Sequence, residues 1–179
     1  MAGSIYDSTF AFPPAVLMAY TYENYYNRDA DQPRPFLWRS AMMSAWQIDP
    51  TRTANWSPEE IAGAQRATEI YKSWIRPMLK DVEVHHILPR PDDLHWDGMF
   101  YWSPSLKRGT LYIFRPNNDQ ATQRIRLKGL TPEAQYRLRS EDGSVQEEIR
   151  AGNDLMSSGV KVKLPRKYSS DLIYLEQSK

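Results

Sequence analysis

The chain has no cysteine, which excludes disulfide staples, thiolate metal sites and cysteine nucleophiles, and is compatible with a reducing or an oxidising compartment. It also has no surplus of one charge. Lysine and arginine number 23 against 22 acidic residues, so nothing in the overall balance draws it to nucleic acid or to an anionic membrane surface, and neither is expected as a partner. Long apolar runs are missing too. The early segment 10-FAFPPAVLMAY-20 has no basic residues before it and is broken by Pro13 and Pro14, so it reads neither as a signal peptide nor as a membrane span. This leaves the compartment open, cytoplasmic or secreted as part of a longer protein. No P-loop, dinucleotide fingerprint, nucleophile elbow or zinc-protease motif occurs, and no cofactor is expected.

What the chain does have is aromatic surface, with 6 Trp and 11 Tyr among 179 residues. Such rings suit core corners, interfaces and the apolar faces of sugars, and enrichment alone does not choose among them. Residues 1–56 are irregular in pattern apart from 15-AVLMAYTY-22, of strand length, and 36-FLWRSAMMSAWQI-48, which suits a helix running into a buried strand. In 56-WSPEE-60, Ser57 and Glu60 have capping-box spacing and Pro58 suits a first helical position. An apolar stripe through Ile61, Ala64, Ala67, Tyr71, Trp74 and Ile75 predicts one long helix over about 58–77, ending near Pro77.

From residue 82 the period changes to two. Short runs at 82–88, 98–103, 109–116, 122–130, 134–140, 160–165 and 170–177 predict antiparallel sheet with one wet face, arranged as a small β-sandwich. In 122–130 arginines alternate with Ile125 and Leu127, and in 160–165 lysines alternate with Val160 and Val162; for the basic residues of 161-KVK-163 and 166-RK-167 solvent is a sufficient partner. The predicted class is therefore α+β.

All 3 histidines fall in 85-HHILPRPDDLHWDG-98. His85 and His86 are adjacent, so on a strand they point to opposite faces and cannot grip one ion together. No metal is expected; the stretch reads as a junction with a proline-stiffened turn. Asp92, Asp93 and Asp97 are a possible carboxylate set, although Asp-Asp after a proline is ordinary turn chemistry.

The order of 38-WRSAMMSAWQIDP-50, WSPEE, 71-YKSWIRPMLKD-81, 95-HWDGMFYWSP-104, 109-GTLYIFRP-116, 129-GLTPEAQYRLRSEDG-143 and 155-LMSSGVKVKLP-165 resembles the tail of melibiase-type α-galactosidases, the glycoside hydrolases of families 27 and 36. The resemblance implies an N-terminal remnant of a (β/α) barrel over 1–81 and an antiparallel β-sandwich over 82–179. It also implies that the family's catalytic aspartates lie upstream of anything in this sequence. The expected role is a glycoside-hydrolase-derived domain that supports or binds carbohydrate. Alternatives are an active glycosidase and a structural module that binds no sugar. Sugar-contact candidates are Tyr20, Tyr22, Trp38, Arg39, Trp46 and Trp96, since rings stack on pyranoses and guanidinium forks bind hydroxyls. Each could equally be a core residue. Glu23 and Asp49 are the catalytic candidates, because the resemblance puts them near strand ends facing a barrel mouth. An incomplete barrel leaves exposed strand edges, so a homo-oligomer formed through that surface is a further expectation.

Overall fold

In the computed structural model, the structure describes residues 2–21, 34–48 and 56–178. The N-terminal part begins with helix α1 (Ala2–Ser8) and a 3-10 turn at Pro14–Val16. Strand β1 (Met18–Thr21), helix α2 (Arg34–Ala41) and strand β2 (Ala45–Ile48) follow. β1 and β2 pair in parallel, with Ala19 opposite Trp46. The stretch 36–48 is thus a helix running into a strand, which its periodicity left open, and the described part of the region is more regular than its proline punctuation implies.

Helix α3 (Pro58–Ile70) starts on the capping box: the Ser57 hydroxyl accepts from the Glu60 amide at 3.2 Å and the Glu60 carboxylate accepts from the Ser57 amide at 2.7 Å. The helix ends at Met78, next to Pro77 as expected, but it is not uniform. The chain widens into a π turn at Tyr71–Ile75 and closes with one more α turn, Arg76–Met78. Proline has no N–H to give to the carbonyl four residues back, here Ser73, and its ring crowds that carbonyl. Arg108 supplies the missing donor, reaching the carbonyls of Ser73 at 3.3 Å and Trp74 at 2.9 Å.

Strands β3 (Glu83–His86), β4 (Asp97–Ser103), β5 (Arg108–Arg115), β7 (Gln135–Ser140), β8 (Glu148–Ala151) and β10 (Ser169–Gln177) form an antiparallel sheet in the order β3-β4-β5-β10-β7-β8. β6 (Thr122–Ile125) and β9 (Val160–Lys163) form a separate antiparallel pair, and helix α4 (Gly152–Ser157) leads into β9. One apolar cluster lies between the helices and one face of the large sheet, joining Ala19, Trp38, Met42 and Ile75 to Tyr101, Tyr112, Phe114 and Tyr174. A second fills the opposite face, where Phe100, Leu111, Ile113 and Ile173 meet Ile125, Val160, Val162 and Leu155.

Two-sided burial corrects the expectation of one wet face. Every residue of β4 is buried, and β5 and β10 are buried along nearly their whole length. Alternation survives only where one side meets water, as in β7 and β9. β8 and α4, both short, have no periodic signature in the sequence.

A buried carboxylate ties the layers together. Asp171 on β10 is fully excluded from water and accepts from the amides of Asp142 at 3.1 Å, Ser144 at 3.1 Å and Leu172 at 2.7 Å, and from the Ser140 hydroxyl. This fixes the turn after β7, whose Asp142 then meets Arg39 of α2 at 2.7 Å. Replacing the carboxylate would strand several buried donors at once. Asp171→Ala is therefore expected to destabilise the fold by roughly 3 kcal/mol, read as a lower urea midpoint at an unchanged m-value.

Candidate functional site

The parallel pair ends at Thr21 and Ile48, and its geometry is set from outside. The Tyr71 hydroxyl donates to the Ser44 carbonyl at 3.0 Å and accepts from the Trp46 amide at 3.0 Å. From the large sheet, the Tyr101 hydroxyl donates to the Met43 carbonyl at 2.8 Å. The Trp46 ring packs edge-on against Tyr71 and its Nε1 donates to the Thr21 hydroxyl at 3.3 Å, bridging the two strands. Tyr20, between Ala19 and Thr21 on β1, is half-buried and stands opposite Gln47 of β2. Tyr22, Glu23 and Asp49, just past the strand ends, lie outside the described residues.

Other candidates are placed elsewhere. Trp38 is buried, with its ring against Gly63, where an added Cβ would stand 3.0 Å from it. Arg39 is buried too, its guanidinium bonded to Asp142 and to the Ser170 carbonyl. Both line a small cavity of about 160 Å³ whose carboxylates are already engaged, Asp142 by Arg39 and Glu141 by Arg66. Trp96 is buried in the second cluster and donates from Nε1 to the Gln120 carbonyl at 2.9 Å. The structure thus places Tyr20 and Trp46 on the same parallel strand pair, with Tyr20 opposite Gln47 and Trp46 opposite Ala19, puts Trp38 and Arg39 in another place and Trp96 in a third. Sequence reasoning missed Tyr71 and Tyr101 as positioning residues. The only available signal was a tyrosine inside an otherwise apolar strand or stripe, since a buried phenol needs a partner.

The histidines separate as strand geometry requires. His85 turns into the second cluster, stacked on Phe100 and lying over Gly129, where an added Cβ would come within 2.4 Å of the ring. His86 turns the other way, stacked on Phe10 at 3.9 Å and bonded to the Thr9 hydroxyl at 2.9 Å. His95 is exposed and pairs with Asp92 at 2.6 Å. Asp92 also accepts from the amides of Leu94 and His95, and these bonds hold its carboxyl down at about 2. Among the described residues no group of three or more His, Asp or Glu side chains is placed to hold a metal ion.

Residues 105–175 match the family model described as the glycosyl hydrolase family 36 C-terminal domain. That stretch of the chain is similar to this family's C-terminal domain. The probable α-galactosidase C of Aspergillus flavus is 30% identical over 89 residues, which is 49% of this chain and 11% of that protein. The α-galactosidase C of Emericella nidulans is 26% identical over 105 residues, 58% of this chain and 13% of that protein. Among solved structures, the galactosidase domain of the α-galactosidase-sucrose kinase AgaSK superposes with a TM-score of 0.82 at 17% identity, covering 99% of this chain and 25% of that one. The family 36 α-galactosidase AgaA of Geobacillus stearothermophilus superposes with a TM-score of 0.76 at 16% identity, with the same coverage. The whole described fold, N-terminal part included, is therefore shared, while the chain spans about a quarter of each solved relative and about an eighth of the curated ones.

Just before the matched stretch one carboxyl stands out electrostatically. Asp97 opens β4 at 5% exposure, and burial, reinforced by the Asp92 and Asp93 carboxylates, pushes it up to about 7. A carboxyl raised by folding stabilises the fold when protonated: its contribution is complete below the unfolded value of about 3.8 and is lost as pH rises towards about 7. His85 and His86 work in the opposite sense. Burial lowers both, so the stability they contribute is present above about pH 6.5 and is lost as pH falls. Asp97→Asn is expected to remove the loss on the alkaline side. Urea midpoints measured between about pH 4 and about pH 8 should separate in favour of the variant as pH rises; parallel curves would contradict the assignment.

Proposed function

We propose that this chain is a supporting domain of a sugar-cleaving enzyme, in which residues 82–179 are a sandwich that clamps the last parallel strands of a (β/α) barrel carried by residues 1–81. The observation that carries this reading is the grip of Tyr101 and Tyr71 on consecutive carbonyls, Met43 and Ser44, immediately before β2. A sheet tyrosine buried for this purpose sets the height at which β2 begins, and with it the position of everything at the strand's end. Parallel strands belong in sheets covered by neighbours, whereas β1 and β2 pair only with each other among the described residues. Further strands are the natural completion.

In barrel enzymes the reacting groups stand at the C-terminal ends of the strands. Thr21 and Ile48 end the pair here, and the proposed rim would take Tyr20 and Trp46 from the strands, with Tyr22, Glu23 and Asp49 following them in sequence. AgaA has been solved in complex with raffinose and with stachyose, and an oligosaccharide of this kind is the proposed ligand of the rim in a completed barrel. The main rival is hydrolysis by this chain itself, which needs two carboxyl groups about 5–5.5 Å apart for a retaining mechanism. Another assembly route is self-association through the open face around Ile48, Trp56, Ile61 and Ala64.

Tyr101→Phe leaves the Met43 carbonyl buried and unpaired, which is expected to cost about 1–3 kcal/mol. Hydrogen exchange should rise selectively in 18–21 and 45–48 while β5 and β10 keep their protection. Uniform acceleration would count against a clamp. The same preparation should not turn over an aryl α-galactoside; turnover abolished by Asp49→Ala would favour the rival.

A further inference from the structure

We propose that the outer face of the β6–β9 pair is a binding site for an anionic polysaccharide, a sugar chain bearing carboxylate or sulfate groups along its length. This site is distinct from the strand-end rim and stands independently of the clamp. The pair turns Ile125, Val160 and Val162 inward onto the second apolar cluster. Outward it presents Arg124 from β6 and Lys161 and Lys163 from β9, with Arg126 just past the end of β6, all exposed. The register sets Arg124 directly opposite Lys161. Like charges facing each other across a ladder destabilise a sheet, and here the fold keeps them.

The two segments carry no counter-charge of their own. No acidic residue occurs in 122–128 or in 160–164. Among the described residues none of Arg124, Arg126, Lys161 and Lys163 enters an ion pair, whereas Arg39, Arg66, Arg90, Arg137, Arg150 and Lys167 all do. Arg124 is held down by a 3.0 Å bond to the Ser158 carbonyl, and the Arg126 stem lies 3.1 Å from where a Cβ on Gly159 would stand. Lys128 continues the row and reaches the His86 carbonyl at 3.4 Å. In a chain of net charge +1 the concentration is local, not a general excess.

The shape of the array selects the polymer. Side chains two apart on a strand stand about 6.7 Å from each other and facing strands are about 5 Å apart, so the cations form a narrow double row that suits a single linear polyanion. The two strands carry no aromatic residue on which unstacked bases could lie, which disfavours single-stranded nucleic acid. They present no outward apolar side chain to enter a bilayer, which disfavours a lipid surface. The carrier consistent with a glycosyl hydrolase domain is a glycan.

The test uses the full chain and polygalacturonate, with the fully methyl-esterified polymer as the uncharged control and with an oligo-dT and phosphatidylserine vesicles as competing polyanions. Binding to polygalacturonate is expected at low salt, falling at least about tenfold between about 50 and about 200 mM, with none to the ester. Lys161→Glu places a carboxylate opposite Arg124, so it should leave the melting temperature unchanged or higher while weakening binding at least about tenfold. The double variant Arg126→Gln with Lys163→Gln should weaken it comparably. Equal affinity for the ester, tighter binding to oligo-dT or vesicles, no binding at low salt, or unchanged binding by a folded variant each overturns the proposal.

Discussion

A sheet with apolar side chains on both faces has to be covered twice, and that requirement organises this molecule. β4, β5 and β10 form the middle of the large sheet and have almost no exposed residue. One cover is the β6–β9 pair with α4; the other is the helical N-terminal part with its parallel strands. Hydrophobic burial supplies the attraction, but it is indifferent to register. Polar bonds supply the alignment. Asp171 shapes the turn that gives Asp142 to Arg39, Tyr101 fixes the approach to β2, and Arg108 caps the end of the long helix.

Buried tyrosines are suited to this work because the ring joins the apolar layer while the hydroxyl finds one carbonyl. Tyr101, Tyr112 and Tyr174 lie on the helix-facing side of the sheet, and Tyr174 donates to Glu141 at 2.9 Å. The unusual aromatic content read from composition is thus spent largely at the seam between the layers. AgaSK and AgaA share this fold, in which two apolar layers meet along that seam.

Legibility in the sequence followed the physics of each element. The start of α3 was legible because Ser57, Pro58 and Glu60 act locally, through bonds made within one turn. β6 and β9 were legible because one side of each faces water, so alternation survives. The opposed orientation of His85 and His86 followed from strand geometry alone. The double burial of β4 and β5 was not, since a strand covered on both sides loses its period. Nor were the partners of Arg39: guanidinium, Asp142 and Ser170 are far apart in sequence, and only the folded turn brings them together.

The π turn before Pro77 bears on the order of folding. Helices ordinarily satisfy their own backbone and can form before their surroundings do. The last turns here draw on outside help, because Pro77 offers the Ser73 carbonyl no N–H and that carbonyl takes a bond from Arg108, thirty-odd residues later in a different layer. The helix and β5 are therefore expected to mature together, so that the end of one local element is completed only when a nonlocal strand arrives.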